Sequence, residues 1–295
     1  MNTAISGSAA ALQYKKRGQA KETWRRFRKN KTALLGMIII GLLIVLALGA
    51  DLIAPYAPDV QDLSNALQHP NQAHWFGTDE FGRDIYSRII FGTRISLSVG
   101  LISVSIATIV GGLLGSLAGF YGGRFDNVIM RVMDVLLAIP SMLFNISIIA
   151  ALGPGVVNMM IAVGISNVPR YCRVMRAAVL QVKGREFIEA SKASGAKNAF
   201  IILRHVVPNC LAPMIVQATL NVGSAIIVCA GLSFIGIGIA PPTPEWGAML
   251  SNGRDLLRNH SYITAFPGLA ILITVLSLNL MGDGLRDAFD PKLKR

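Results

Sequence analysis

No Gly-Lys dipeptide occurs anywhere in the 295 residues, so the chain cannot form the Gly-x-x-x-x-Gly-Lys-Ser/Thr loop that cradles nucleotide phosphates. His-Glu-x-x-His and Gly-x-Ser-x-Gly are also absent, which removes the common zinc-hydrolase and serine-hydrolase arrangements. Cysteine is scarce and odd in number: Cys172, Cys210 and Cys229, with no Cys-x-x-Cys spacing. That pattern excludes a disulfide framework and reads as three reduced packing residues. Of the four histidines, His69 and His74 flank Pro70 and raise metal capture, but the preferred reading assigns no metal. Charge is short as well. Asp, Glu, Lys and Arg make up 15% of the chain, against about 25% in soluble domains.

What replaces charge is hydrocarbon. The chain is 53% hydrophobic, with a mean hydropathy of +0.53. Apolar runs fall at residues 32–54, 95–120, 128–152, 156–174, 212–240 and 262–281, each near the ~20 residues that cross a bilayer. Lipid offers the backbone no hydrogen-bond partner, so all six are expected to be helical, and the longer ones to tilt. The expectation is an all-α integral membrane protein with six transmembrane helices.

The net charge of +12 would suggest nucleic acid if it were spread evenly. It is not. With the N-terminus inside, only Arg83, Arg88, Arg94, Arg254 and Arg258 of the 28 Lys and Arg fall outside. The positive-inside rule then puts both termini in the cytoplasm, and the basic charge meets lipid headgroups. The first span follows a basic tail, and Ala47-Leu48-Gly49 loosely resembles a cleavage site. The ~30 residues before it favour a retained anchor. Along the chain this gives a cytoplasmic tail (1–31), a first span (32–54), an extracytoplasmic loop (55–94), a transmembrane domain (95–285) and a cytoplasmic tail (286–295). Within the first tail, residues 1–20 are polar and expected to be disordered. Residues 21–31, with Trp24 and Phe27 among basic residues, read as a short interfacial helix.

One cytoplasmic stretch, residues 181–209, is too polar for lipid and too patterned for a slack loop. It reads as two short helices around a hinge at Gly195, which can take the positive φ that ends the first. Asn198 is placed to cap the second helix and Pro208 to end it. Ala190, Ser191, Ala193, Ser194 and Ala196 leave little bulk, so a partner could approach the backbone closely. On the outer side, Gly77 and Gly82 set turns around Thr78, Asp79, Arg83 and Asp84. A calcium site from Asp79, Glu80 and Asp84 lacks EF-hand spacing, and a hydrogen-bonded cap is the preferred reading. Gly111, Gly115, Gly119 and Gly123 share one helix face, for internal packing or for a dimer seam. Asp134, about two turns inside the third span, can pair with Arg131 or line a pathway. Pro140 should kink that helix. Trp246 belongs at headgroup level, with a short outer helix over 245–257.

The spacing of Glu189-Ala190-Ser191, Gly195 and Pro208 resembles the Glu-Ala-Ala loop of permease subunits of ABC importers. Ser191, His205 and Val207 depart mildly from that pattern. The strings Gly77-Thr78-Asp79-Glu80-Phe81-Gly82-Arg83-Asp84, PPTPEWG (241–247) and NLMGDGLRDAFDP (279–291) resemble the peptide, nickel and opine branch, dipeptide permeases above all. The resemblance runs from about Trp24 to the C-terminus. It implies a type I importer permease fold in a bacterial cytoplasmic (inner) membrane and a heterodimer with a homologous permease. It also implies two ATP-binding cassette subunits holding ATP and Mg, an external substrate-binding protein, and no cofactor or enzymatic activity in this chain. By the same resemblance, the loop is the coupling helix that contacts an ATPase subunit. Glu189, Ala190, Ser191 and Gly195 are its core, and Arg185, Glu186 and Arg204 support it. Asp79, Arg83, Asp84 and Trp246 become outer-gate candidates, and Asp134 and Arg131 intramembrane polar candidates. The implied solute is a dipeptide or short oligopeptide, with nickel chelates, glutathione or opines as rivals. A gradient-driven secondary transporter is the reading from another class.

Overall fold

The computed structural model describes residues 19–289, which are helical apart from connecting segments and one antiparallel bridge between Thr78 and Asp84. The expectation of disorder over 1–20 and of a tail over 286–295 falls largely outside these residues. The chain begins with α1 (Gln19–Phe27), a short amphipathic helix. Trp24 stacks on Phe27 at 5.9 Å, but the two rings have different surroundings. Trp24 is half exposed, whereas Phe27 is buried against Ala33 and Ala288. Asn30 then caps α2 (Lys31–Leu48) by accepting from the Ala33 amide. A break at Gly49 separates α2 from the single turn α3 (Ala50–Ile53). The expected first span over 32–54 is therefore shorter and broken. Arg94 holds its end by donating to the Ala47 and Leu48 carbonyls and pairing with Asp51.

Helix α4 (Ile85–Tyr121) starts ten residues before the expected 95. Its 37 residues span about 55 Å, well beyond a ~30 Å hydrocarbon core. It packs most extensively on α7 (Val156–Val182), which continues past the expected 174. The glycine stripe explains the closeness of that packing. A side chain at Gly111, Gly115 or Gly119 would collide with Tyr171, Cys172, Met175 or Val179 of α7. Internal packing thus accounts for these three residues. Gly123 lies beyond the end of α4 in open space and does not belong to the stripe.

Between these helices the expected third span is broken. α5 (Gly123–Ala138) and α6 (Ser141–Leu152) meet at 93° across Ile139 and Pro140, far more than a kink. Pro140 forces the residue before it out of the helical region, and Ile139 sits at φ −83°, ψ 126°. Two ion pairs fasten α5 to α7. Arg176 binds Asp126 through two hydrogen bonds of 2.6 Å each, and Arg173 donates to Asp134 at 2.7 Å. Asp134 therefore pairs across to α7, not one turn back to Arg131, which is exposed. The two helical turns between Asp126 and Asp134 put both on the face towards α7.

After α7 come α8 (Glu186–Ala193), α9 (Asn198–Ile201), α10 (Val207–Phe234), α11 (Trp246–Gly253) and α12 (Tyr262–Phe289). Residues Ile202–Val206 form a π-helical stretch that joins α9 to α10 without a break. Pro208 therefore does not end the second short helix. It lies in the first turn of α10, where its missing amide is tolerated. Asn198 is the first residue of α9, with Lys197 in the cap position and no side-chain capping bond. The last two spans also shift, from 212–240 to Val207–Phe234 and from 262–281 to Tyr262–Phe289. Four helices, Lys31–Leu48, Ile85–Tyr121, Asn198–Phe234 and Tyr262–Phe289, are long and apolar enough to cross a membrane. The bent α5–α6 pair makes up to five among the described residues.

Candidate coupling surface and outer cap

Two polar regions stand at opposite ends of the bundle. At one end is the loop between α7 and α10. Three side chains root it: Ile188 of α8, Ile201 of α9 and Val206 of the π-helical stretch are fully buried in the main core. Each such burial contributes roughly 1.5–3 kcal/mol. Lys183 adds a bond to the Gly119 carbonyl at 2.9 Å, at the negative end of the α4 dipole, and Lys192 lies 5.5 Å from the Phe120 ring.

The face turned away from those anchors is open. Arg185, Glu186, Glu189, Ala190, Gly195 and Arg204 are exposed and Ser191 is partly so, which puts all seven candidate residues on one module. Gly195 has φ +77°. Its amide donates to the Lys192 carbonyl at 2.9 Å, and the Ala196 amide to Ser191 at 3.2 Å, which is the Schellman ending of α8. A Cβ at Gly195 would meet nothing within 4 Å. The glycine is thus favoured by its backbone conformation, and the space above it is open.

Three residues of this surface escaped the sequence reading. Phe187, Phe200 and Leu203 are 39%, 54% and 66% exposed, an apolar patch set among charges. His205 bridges the two rings edge-on, at 6.5 Å from Phe187 and 5.6 Å from Phe200. The available signal was that Phe187 and Phe200 are the only Phe, Tyr or Trp residues in the 181–209 stretch.

At the other end is a cap. Asp84 accepts from the Ser87 amide at 2.7 Å to start α4, and its other oxygen meets His74 Nδ1 at 3.0 Å. Asp79 accepts from the Phe81 and Arg83 amides and from Arg83 Nε at 2.7 Å, with Arg88 Nε at 3.7 Å. Thr78 Oγ1 donates to the Asn65 carbonyl and accepts from the Gln68 amide. Arg88 reaches the carbonyls of Pro58 and Pro242. These residues serve one another, so Asp79 and Asp84 do not converge with Glu80 on a cation. Nor do His69 and His74 share a partner: His69 packs on His260 and Tyr262, His74 on Tyr56. Among the described residues no three His, Cys, Asp or Glu gather as metal ligands.

Trp246 departs from its expected place at headgroup level. It is fully buried, with Nε1 donating to the Ile89 carbonyl at 3.1 Å, and it forms a core with Ile85, Met249, Tyr262 and Ile263. The indole is a plug between the cap and the helices, not a headgroup anchor. Beside it Glu245 caps α11, one oxygen to the Gly247 amide and the other to Ala248, both at 2.8 Å. Burial pushes the Glu245 carboxyl above its ordinary value, while the two amides pull it down. The void bordered by Asp79, Arg83, Arg88 and Met249 holds about 10 Å³, no more than the ~10–15 Å³ one water needs. Asp79, Arg83, Asp84 and Trp246 are thus buried in one closely packed cap.

The bundle thus carries an exposed, small-residue surface at one end and a buried, hydrogen-bonded cap at the other. Comparison with known proteins gives that description a family. Residues 111–295 match the family described as binding-protein-dependent transport system inner membrane component. The chain belongs to that family. Residues 18–70 match the N-terminal transmembrane domain of oligopeptide transport permease C. The dipeptide transport system permease protein of Alkalihalophilus pseudofirmus is 47% identical over 274 residues, 93% of this chain and 90% of that protein. The di/tripeptide permease of Pseudomonas aeruginosa is 49% identical over 280 residues, 93% and 92% of the two chains. The glutathione transport system permease protein of an Escherichia coli strain (O157:H7) is 46% identical over 274 residues, 92% and 90%. Among solved structures, the inward-facing MetNI methionine ABC transporter shares the fold, with TM-score 0.57 at 16% identity, covering 69% of this chain and 97% of that one. The chain is therefore a multi-pass inner-membrane permease of an ABC importer, a system that implies ATPase and substrate-binding partners.

Proposed function

We propose that this permease imports dipeptides or short oligopeptides as one of two homologous pore-forming subunits, with two ATP-binding cassette subunits beneath and a substrate-binding protein outside. The observation that carries the solute class is the 47–49% identity, over more than nine-tenths of the chain, to permeases named for dipeptides and di/tripeptides. The six spans are α2, α4, the bent pair α5–α6, α7, α10 and α12, with both termini cytoplasmic. The charge asymmetry supports this orientation. α7 carries Arg170, Arg173 and Arg176 near its cytoplasmic end, which makes it more polar than the other spans without shortening it.

In this reading ATP and Mg act on the partner subunits. Closure of the ATPase pair moves α8, and the rooted side chains Ile188, Ile201 and Val206 carry that motion into α10 and the core. Glu189, Ala190, Ser191 and Gly195 form the contact, supported by Arg185, Glu186 and Arg204 and widened by Phe187, Phe200 and Leu203. The lid at Asp79, Arg83, Asp84 and Trp246 shuts the outer side while the inner side opens. Asp134 is assigned to holding α5 on α7 through Arg173. Glutathione is the second reading, favoured by the 46% identical relatives.

Uptake of a radiolabelled dipeptide in the native cell tests the proposal, with and without this chain, after the proton gradient is collapsed and ATP retained. Uptake that survives the collapse and vanishes on deletion is the expected result. Uptake unchanged by deletion, together with loss of glutathione uptake, transfers the assignment to glutathione. Uptake lost on collapse alone supports a gradient-driven carrier instead.

A further inference from the structure

A cavity of about 670 Å³ opens where α1 lies across the ends of α2, α10 and α12, within the ~300–1,000 Å³ of small-ligand sites. Its floor is apolar, with Met37, Leu211, Ile215, Met281 and Leu285. Met37 is six residues into α2, about 9 Å along the axis, so the floor lies at the depth of a spanning segment. The rim is basic. Arg26 borders this cavity and an adjoining one of about 470 Å³, which Arg25 and Lys29 also line. Arg185 reaches the same cavity from the start of α8. Two acids temper the rim: Glu22, paired with Arg26 at 2.5 Å, and Asp287.

From this geometry we infer a binding site for an anionic phospholipid of the cytoplasmic leaflet, with its phosphate among Arg25, Arg26 and Lys29 and an acyl chain on the floor beneath. The inference rests on the cytoplasmic placement of this end given above. Two observations select that occupant. An apolar floor at spanning depth beneath an interfacial basic rim matches the layout of a lipid, whereas a soluble partner reaches only the rim. The chain's own remaining segments have the wrong charge: residues 1–18 contain no acid, and residues 290–295 carry three cations and one acid. The site touches both α1 and Arg185, so a bound lipid would brace the coupling loop against the first span. Neither role is supplied by the transport reading itself.

The test uses the whole transporter reconstituted in nanodiscs of phosphatidylcholine with a minority of phosphatidylglycerol, then extracted and read by native mass spectrometry. Phosphatidylglycerol should be retained in preference to phosphatidylcholine. Arg25→Gln, Arg26→Gln and Lys29→Gln combined should lower that retention by roughly ten- to a hundredfold, as expected for three cations near an anionic surface. Ile215→Trp, which fills the floor without altering charge, should lower it as well, whereas Arg124→Gln should not. Equal retention of the two lipids, or retention unchanged in both the charge and the floor variants, overturns the inference. Loss of peptide uptake with lipid selectivity intact would count against the transport reading alone.

Discussion

The two ends of this molecule treat polar residues in opposite ways. At the outer cap, Asp79, Arg83, Asp84 and Arg88 are almost fully buried, and their polar atoms are served within the cap or by nearby carbonyls. At the inner loop, Glu186, Glu189 and Arg204 are exposed and form no ion pair among the described residues, while Ile188, Ile201 and Val206 root the loop from behind. A buried charge must be satisfied where it stands, because stranding it costs several kcal/mol, whereas an exposed one can wait for a partner. Burial therefore separates what holds the chain together from what the chain presents. Substitutions in the cap should act on stability first, and substitutions in the loop on transport first.

Gly195→Asp should have the largest effect on transport. Aspartate tolerates the left-handed conformation better than most residues, and nothing lies within 4 Å to collide with it. The chain should reach the membrane in near-normal amount, by immunoblot, while uptake falls to background. Trp246→Ala reverses the pattern. Loss of a fully buried indole should cost ~3–5 kcal/mol, seen as a lowered melting temperature of the purified transporter and reduced abundance. A matched pair sharpens the contrast. Asp79→Ala strands buried Arg83 and should cost about 3–5 kcal/mol. Glu189→Ala should change stability by less than about 0.5 kcal/mol yet reduce uptake several-fold.

The smallest effect concerns pH. The folded-state value of Glu245 is raised above its ordinary 4.5 by burial, so ionising it disfavours the folded state. Its contribution is fully present below the unfolded carboxyl value and is lost as pH rises through the folded one. Melting temperature should therefore decline from about pH 4.5 towards neutrality more in the wild type than in Glu245→Gln.

Composition and periodicity carried much of this architecture. The apolar runs led directly to α2, α4, α10 and α12, and the positive φ at Gly195 followed from its position after a small-residue helix. The failures have physical causes. The start of α4 was read as loop because Ser87, Arg88 and Arg94 look too polar for a span, and only the fold supplies the carbonyls and carboxylates that satisfy them. Pro208 looked like a terminator, but the preceding π-helical turn carries the chain through it. Arg131 was the local partner for Asp134, while the actual one, Arg173, is 39 residues away in sequence and adjacent only once α5 lies on α7. Burial of Trp246 was invisible for the same reason. The exposed Phe187–His205–Phe200 patch needed the orientation of α8 and α9, which a pattern of small residues does not specify.

Crosslinking from Ser194→Cys tests the central claim most directly. The site is exposed at the end of α8, and the native Cys172, Cys210 and Cys229 are buried, so background reaction should be low. In the assembled transporter this cysteine should form an adduct with an ATPase subunit whose yield changes when ATP binds. An adduct insensitive to nucleotide, or none with the ATPase while transport remains intact, would contradict the assignment of this loop as the coupling surface.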